Sequence, residues 1–174
     1  MRVLSRLVVV AILAFTGPAF AETPLRIGAG IFPPGKGNPL RNSSQPYWFI
    51  YAAMFDTLTH VNGAGEVEPW IAERWEQTGA LTWRFHLRPN MKFSNGEPVD
   101  AAAVAATISY LATPEGQREM VASRIPPGLT AKVIDVATID LSTPDPDPLL
   151  PRRFHELWIL PPKAWAAQIG RAHV

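Results

Sequence analysis

The feature that most constrains the fold is an alternating stretch at residues 81–96, with the sequence LTWRFHLRPNMKFSNG. Its first half alternates large apolar residues with polar or basic ones, which is the period-2 pattern of a β-strand with one buried and one solvated face. Burying side chains of this size stabilises a fold by roughly 1.5–3 kcal/mol each. Trp83 and Phe85 therefore require a core to which other parts of the chain contribute. The apolar set is Leu81, Trp83, Phe85 and Leu87, and the other set is Thr82, Arg84, His86 and Arg88.

A turn and a helix are predicted after this strand. Ser94, Asn95 and Gly96 are turn residues, and Gly96 can adopt a positive φ without a steric penalty. The sequence AAAVAATISYL at residues 101–111 then predicts a helix. Asp100 precedes the helix and is the expected N-cap, because its carboxylate can accept a hydrogen bond from a free backbone N–H of the first turn.

This order of residues resembles a region of the extracellular solute-binding proteins of ABC importers, family 5, the peptide and nickel class. Members of that family show a Trp-Glu, a strand ending in Leu-Arg, a Lys-Phe or Lys-Trp, an Asp/Asn-Gly turn, a Pro, and a helix opened by an acidic residue. The resemblance implies an α/β, periplasmic-binding-protein-like fold of two lobes with an additional domain, of which this chain holds only the N-terminal part. The matching positions are Trp75, Glu76, Trp83, Phe85, Leu87, Arg88, Lys92, Phe93, Asn95, Gly96, Pro98 and Asp100.

The first 21 residues have the pattern of a secretory signal peptide. Arg2 and Arg6 precede a short apolar run, and Ala19-Phe20-Ala21 fits the small-x-small rule for cleavage. The apolar run is shorter than the roughly 20 residues that a membrane-spanning helix needs. We therefore expect export to the periplasm as a cleaved, soluble protein.

The resemblance also implies how the rest of the chain is divided. Residues 22–45 correspond to the first strand and the cleft loop of the ligand-binding lobe, and residues 46–168 to the additional α/β domain of the family. Residues 169–174 match no element of the family, and we expect them to be the non-native tail of a truncated gene sequence.

Local patterns predict the remaining elements. Two short alternating runs on either side of residues 62–65, Asn-Gly-Ala-Gly, favour a β-hairpin. Residues 69–75 are predicted to form a short helix whose aromatic side chains pack near Trp83. The other predicted elements are a strand at 25–32, a loop at 33–39, a helix beginning at Pro46, short helices at 114–122 and 149–157, a hairpin of strands at 130–136 and 138–141, and a strand at 158–163.

The composition excludes several classes of protein. There are no cysteines, so a disulfide scaffold, a cysteine-ligated metal site and a thiol nucleophile are excluded. The net charge of +1 gives no basic excess for binding nucleic acid. The four histidines are far apart and match no metal-binding motif, and no G-x-S-x-G elbow or isolated carboxylate pair is present. We expect no catalytic group, no metal site and no cofactor.

Gly30, Ile31 and Phe32 are the first candidates for contact with a ligand. In the family, the loop after the first strand runs along the ligand cleft and offers backbone groups to the solute. Tyr47 and Trp48 are the second candidates, because they bring aromatic surface close behind this loop. Two interpretations of Tyr47 and Trp48 remain open: the two rings pack in the core, or they form an aromatic wall of the binding pocket.

The function implied by the resemblance is that of a periplasmic substrate-binding component of an ABC importer. Such a protein, expected to be a monomer, closes its two lobes around a peptide or similar small solute and delivers it to the permease subunits in the inner membrane. The alternatives are a secreted enzyme or a protein-interaction module. The front-end motifs do not distinguish peptides, nickel chelates, opines and oligosaccharides as solutes.

Overall fold

Helices and strands are interspersed along the part of the chain that the computed structural model describes, which is residues 28, 37–41 and 45–169. The predicted signal peptide, the candidate residues Gly30, Ile31 and Phe32, and residues 170–174 lie outside this part. Two 3₁₀ turns, Gly116–Arg118 and Met120–Arg124, precede the last two strands. The helices and strands are α1 (Gln45–Ala52), β1 (Thr59–Val61), β2 (Val67–Pro69), β3 (Ala72–Gly79), β4 (Thr82–Leu87), α2 (Ala101–Leu111), β5 (Thr130–Asp135), β6 (Thr138–Ser142), α3 (Leu150–Arg153) and α4 (Pro162–Ile169).

The strand predicted from the alternating stretch is β4, and it lies inside a four-stranded antiparallel sheet of order β3-β4-β6-β5. Phe85 is fully buried and Leu87 nearly so, and Phe85 lies opposite Trp75 on β3 and Ile139 on β6. Leu81 falls just before the strand and is 40% exposed. The alternation therefore predicted the core face of β4 correctly from Trp83 onward.

Helix α2 forms at the predicted residues, and it packs on the core face of the sheet. The carboxylate of Asp100 accepts a hydrogen bond from the backbone N–H of Ala103 at 2.8 Å, which confirms the N-cap. The buried side of the helix includes Val104, Ile108 and Leu111. The hydroxyl of Thr107 accepts a hydrogen bond from the backbone N–H of Leu160, so the helix also contacts the chain that leads to α4.

The solvated face of the sheet carries a row of alternating charge across its four strands. This charge row consists of Glu76, Arg84, Asp140 and Lys132, each opposite the next on the neighbouring strand. Arg84 donates from Nε and Nη2 to the two carboxylate oxygens of Asp140 at 2.7 and 2.8 Å. A bidentate pair of this kind is among the stronger charged contacts at a protein surface. The hydrogen bonds from Arg84 hold the pKa of Asp140 below its ordinary value.

We predict that Asp140→Asn lowers the free energy of unfolding by about 1 kcal/mol at pH 7, because it leaves Arg84 with a neutral partner. The pKa of Asp140 is lower in the folded protein than in the unfolded chain. Its contribution to the free energy of unfolding is therefore fully present above pH ~4 and is lost as the pH falls through the pKa of the folded protein. Urea unfolding at pH 7 and pH 3 should show the difference from wild type shrink at the lower pH. Asp145→Asn, at an exposed aspartate, is the control; an equal loss there would contradict the assignment.

The predicted hairpins are confirmed. Strands β1 and β2 pair antiparallel with His60 opposite Glu68, and β5 pairs with β6 with Ala131 opposite Leu141. Between β1 and β2, the Asn62 side chain accepts hydrogen bonds from the backbone N–H groups of Ala64 and Glu66. The side chain of Asn62 thus closes the turn by bonding to the backbone of the residues that follow, as asparagine commonly does in turns.

The prediction of a helix at residues 69–75 is wrong. Pro69 ends β2, and Ala72–Gly79 forms β3, the edge strand that pairs with β4. Ala72, Glu73 and Arg74 are favourable helix residues, but pairing with β4 places Trp75 opposite Phe85 in the core. Tertiary pairing and burial outweigh a local preference of a few tenths of a kcal/mol per residue.

Three other predicted elements differ in extent. Two 3₁₀ turns replace the helix predicted at 114–122. The helix predicted at 149–157 is limited to α3. After α3, the backbone N–H groups of His155 and Glu156 donate to carbonyl oxygens three residues earlier, which is a tighter turn than that of an α-helix. The strand predicted at 158–163 is a single bridge between Thr57 and Trp158, and Pro162 begins α4. Proline at the first position of a helix is favourable, since its missing N–H has no partner there.

Candidate functional site

The short segment of residues 37–41, called here the leading segment, is held against the rest of the fold. Leu40 is fully buried, and its carbonyl oxygen accepts a hydrogen bond from the backbone N–H of Val121 at 3.1 Å. The hydroxyl of Tyr51 on α1 donates to the carbonyl oxygen of Asn38 at 3.2 Å. The backbone N–H of Leu40 donates to the side-chain oxygen of Asn38 at 2.8 Å, which fixes the turn. The leading segment is thereby fixed from two sides.

Glu119 is the polar centre of this contact, and its side chain is only 7% exposed. Its Oε1 accepts hydrogen bonds from Asn38 Nδ2 at 3.2 Å and from the hydroxyl of Tyr110 at 2.9 Å. Its Oε2 lies 3.7 Å from Nε of Arg41. Burial and the hydrogen bond to Glu119 raise the pKa of Tyr110 to about 12, so this hydroxyl stays protonated as a donor at physiological pH. Glu119 therefore joins α2, the 3₁₀ turns and the leading segment.

A cleft of about 640 Å³ opens beside Glu119. It lies between the C-terminal end of α2, the 3₁₀ turns and residues 125–129, and both polar and apolar side chains line it, among them Gln117, Glu119, Ile108 and Leu129. Glu119 is part of the cleft wall, and its side chain is only 7% exposed where it meets Asn38 and Tyr110.

Helix α1 carries the two candidate residues that the structure describes. Tyr47 and Trp48 are both half-buried, and the ring of Trp48 lies 5.1 Å from that of Trp158 and 6.0 Å from that of His155. Tyr51, one turn further, is 1% exposed, and burial raises its pKa. The half-buried Trp48 thus rests on the nearly fully buried Trp158. Contact of Tyr47 and Trp48 with a solute stays a prediction.

Sequence reasoning missed the role of Asn38, Leu40 and Glu119. The patterns predicted a loop at 33–39 and a helix at 114–122, and neither indicated that the two segments meet. Asn38 and Glu119 are 81 residues apart in the chain. Leu40, an apolar residue directly after Asn-Pro in a polar stretch, is the one local sign of a buried anchor.

The Asn-Gly-Glu-Pro motif at residues 95–98 has a structural role. The carboxylate of Glu97 accepts hydrogen bonds from the backbone N–H groups of Lys163 and Ala164 at 2.9 and 3.1 Å, and Asn95 donates to it at 2.6 Å. Partial desolvation tends to raise the pKa of Glu97, but these three hydrogen bonds outweigh it and the pKa is lowered. Glu97 thus caps the N-terminus of α4 from a distant turn.

No metal centre or membrane helix is found in the described residues. Within residues 28, 37–41 and 45–169, no three His, Asp or Glu side chains converge as a metal site requires. His60 stacks on Trp70 with ring centroids 5.1 Å apart, and His86 contacts Glu76 at 3.3 Å. In the same part of the chain, no helix has the length and apolar character needed to cross a bilayer.

Two sequence relatives of the chain are periplasmic binding proteins. The chain is 41% identical over 58 residues to the nickel-binding periplasmic protein of Escherichia coli K12, covering 33% of this chain and 11% of the relative. It is 28% identical over 132 residues to the periplasmic oligopeptide-binding protein OppA of Haemophilus influenzae, covering 66% of this chain and 24% of the relative.

A solved structure supports the fold and leads to the family. The OppA of Burkholderia pseudomallei matches with a TM-score of 0.63 and 29% identity over 75% of this chain and 29% of its own. This likeness confirms the predicted periplasmic-binding-protein fold, and the chain spans less than a third of each of the three proteins. The model of the family described as bacterial extracellular solute-binding proteins, family 5 Middle, matches residues 66–172. Since this match covers more than half of the sequence, the chain belongs to the family 5 bacterial extracellular solute-binding proteins.

Proposed function

We propose that this chain is part of the substrate-binding component of an ABC importer, which captures a peptide or similar small solute and delivers it to the permease subunits of the inner membrane. The family match over residues 66–172 is the observation that carries the proposal. Oligopeptides and nickel, the ligands in the names of two relatives, define the two solute classes to test first.

The proposed mechanism is closure of two lobes around the solute. A solute that contacts both lobes binds the closed form better than the open one, and it shifts the population toward closure by that difference in affinity. The permease then receives the closed form. Residues 22–45 belong to the ligand-binding lobe in this proposal, and residues 46–168 form the additional domain beside it.

Gly30, Ile31 and Phe32 are the proposed solute contacts, through their backbone N–H and C=O groups. Backbone hydrogen bonds to an extended peptide give affinity without selecting side chains. Tyr47 and Trp48 are the proposed second set. The position of Trp48 against Trp158 supports this role, because an aromatic ring held by a buried neighbour loses little conformational entropy when a ligand packs on it.

The proposed protein is a monomer in the periplasm, exported by the signal peptide at residues 1–21. Its partners are the solute and the membrane permease, and nucleic acid is not among them. It acts by binding and carries no catalytic residue of its own.

A thermal-shift experiment tests this function. The product of the complete gene is melted alone, with a mixture of synthetic tripeptides, and with nickel chloride. A ligand present at 100 times its dissociation constant stabilises the folded state by about 2.7 kcal/mol, so we expect one of the two probes to raise the melting temperature by several degrees. Unchanged melting with tripeptides and with nickel would contradict the proposal.

Two variants show whether the effect comes from the proposed loop. Ile31→Pro removes a backbone N–H of the predicted contact set and should reduce the shift. Leu149→Ala removes a side chain that is 56% exposed at the start of α3 and should leave it unchanged. The same reduction in both variants would place the binding site elsewhere.

A further inference from the structure

Two Asn-Gly pairs lie in turns of this protein, Asn62-Gly63 between β1 and β2 and Asn95-Gly96 before α2. An asparagine followed by glycine can convert itself to aspartate, because a residue without a Cβ leaves its backbone nitrogen open to the preceding side chain. We propose that the fold makes Asn62 the more reactive of the two asparagines, and thereby a site of self-modification. The reaction involves no solute, so it is independent of the proposed function.

The reaction at Asn62 closes a succinimide ring. The backbone nitrogen of Gly63 gives its proton to water and forms a bond to Cγ of Asn62, to which the chain already tethers it, and Oδ1 becomes an oxyanion. The bond from Cγ to Nδ2 then breaks, and Nδ2 leaves as ammonia after taking a proton from water. A second water opens the ring at either of its carbonyls, which yields aspartate or isoaspartate at position 62.

The side-chain oxygen of Asn62 is held where negative charge develops in this reaction. Its Oδ1 accepts hydrogen bonds from the backbone N–H groups of Ala64 at 2.9 Å and Glu66 at 3.0 Å. Two fixed N–H donors on one carbonyl oxygen stabilise the oxyanion that forms during attack on the carbon. Oδ1 of Asn95 accepts one such bond, from the N–H of Glu97 at 3.0 Å. The fold therefore activates the amide of Asn62 more strongly.

The attacking nitrogens of the two pairs also differ. The N–H of Gly96 donates to the carbonyl oxygen of Phe93 at 2.9 Å, and this bond must open before the nitrogen can lose its proton and attack. The N–H of Gly63 has no hydrogen-bond acceptor among the residues that the structure describes. Gly63 is also exposed, and no atom lies within 4 Å of a Cβ built on it. Water can thus remove the proton from Gly63 while the turn stays closed.

Conversion of Asn62 to an acid reverses its contacts in the hairpin. Its Nδ2 donates to Oε2 of Glu66 at 3.1 Å and to Oε1 of Glu68 at 2.6 Å. An aspartate has no N–H₂ group to donate, and it adds a negative charge beside these two carboxylates. Isoaspartate also inserts a methylene group into the backbone of the turn. The modification therefore loosens the pairing of β1 with β2.

Ageing of the 174-residue chain at mildly alkaline pH tests the proposal, with peptide mass spectrometry reading both asparagines in each sample. Isoaspartate among the products distinguishes attack by the backbone nitrogen from direct hydrolysis of the amide. A parallel sample in concentrated urea gives the ratio of the rates at Asn62 and Asn95 in the unfolded chain. We expect folding to raise this ratio about tenfold, which corresponds to the contribution of one hydrogen bond. A ratio that folding leaves unchanged or lowers would overturn the proposal.

Ala64→Pro tests the contact at Oδ1 separately, because it removes one of the two N–H donors. Ala64 does not have the positive φ that would exclude proline. We expect the rate at Asn62 to fall about tenfold and the rate at Asn95 to stay as in wild type. Ala64→Ser keeps the N–H and should change neither rate.

Hydrogen exchange shows whether the hairpin stays closed in Ala64→Pro, since the N–H of Asn62 donates to the carbonyl oxygen of Glu66 at 3.0 Å. An unchanged rate of modification at Asn62 with this N–H still protected would refute the activation by two donors. If the variant opens the hairpin, the comparison of folded and unfolded wild type decides.

Discussion

Replacing Phe85 with alanine should lower the free energy of unfolding by about 3–5 kcal/mol, as is usual for a fully buried phenylalanine. Phe85 has no exposed surface and lies on one of the two inner strands of the sheet. Its ring is 5.5 Å from that of Phe154 and 6.2 Å from that of Trp75, so it joins β3, β4 and the turn after α3. The alanine variant leaves a cavity that these three elements cannot fill together.

Urea unfolding followed by tryptophan fluorescence measures this loss. The matched control is Phe49→Ala, which makes the same change at a side chain that is 75% exposed on α1. We expect the control to change stability by no more than about 0.5 kcal/mol. Losses of similar size in the two variants would show that Phe85 is not at the centre of the core.

Gly116→Ala should destabilise the fold by about 3 kcal/mol or more, because there is no space for a side chain. A Cβ atom at this position would overlap the carbonyl oxygen of Tyr110 and lie 2.7 Å from Cα of Leu111. Both are backbone atoms at the C-terminal end of α2, so relief requires the helix and the 3₁₀ turn to separate. Thr113 holds this turn closed, since its hydroxyl accepts a hydrogen bond from the backbone N–H of Gly116 at 3.1 Å.

Gly63→Ala is the control for this prediction. No atom lies within 4 Å of a Cβ built at Gly63, in the hairpin between β1 and β2. Reduced freedom of the unfolded chain alone makes a compatible Gly→Ala change stabilising by about 0.4–1 kcal/mol. Thermal melting of the two variants should therefore move in opposite directions, and a neutral result at Gly116 would refute the close contact.

The sequence predicted the elements whose signals are local. The alternation around Trp83 and Phe85, the cap at Asp100 and the hairpin at Asn62 each depend on neighbouring residues, and all three are found in the structure. The prediction of a helix at 69–75 was wrong because the structure there depends on a contact with a distant part of the chain. Ala72–Gly79 is a strand only because β4 lies beside it, and that pairing is not visible in a window of seven residues.

The candidate site was predicted less completely than the fold. The family resemblance indicated the loop of Gly30, Ile31 and Phe32, behind which Tyr47 and Trp48 follow in the sequence, and solute contact by these five residues stays a prediction. It gave no indication of Glu119, which meets Asn38 and Arg41 across about eighty residues. A buried carboxylate and its partners are brought together by the tertiary fold, so a single sequence carries no local pattern for them.

The cap that Glu97 provides for α4 has a consequence for the order of folding during synthesis. Lys163 leaves the ribosome 66 residues after Glu97, so the carboxylate lacks this partner until residue 163 has been translated. The strands β3 and β4 and the helix α2 can assemble before that moment. The turn at 94–97 acquires these two partners after those elements have been synthesised, and a nascent chain stalled before Lys163 should keep this turn open to proteases.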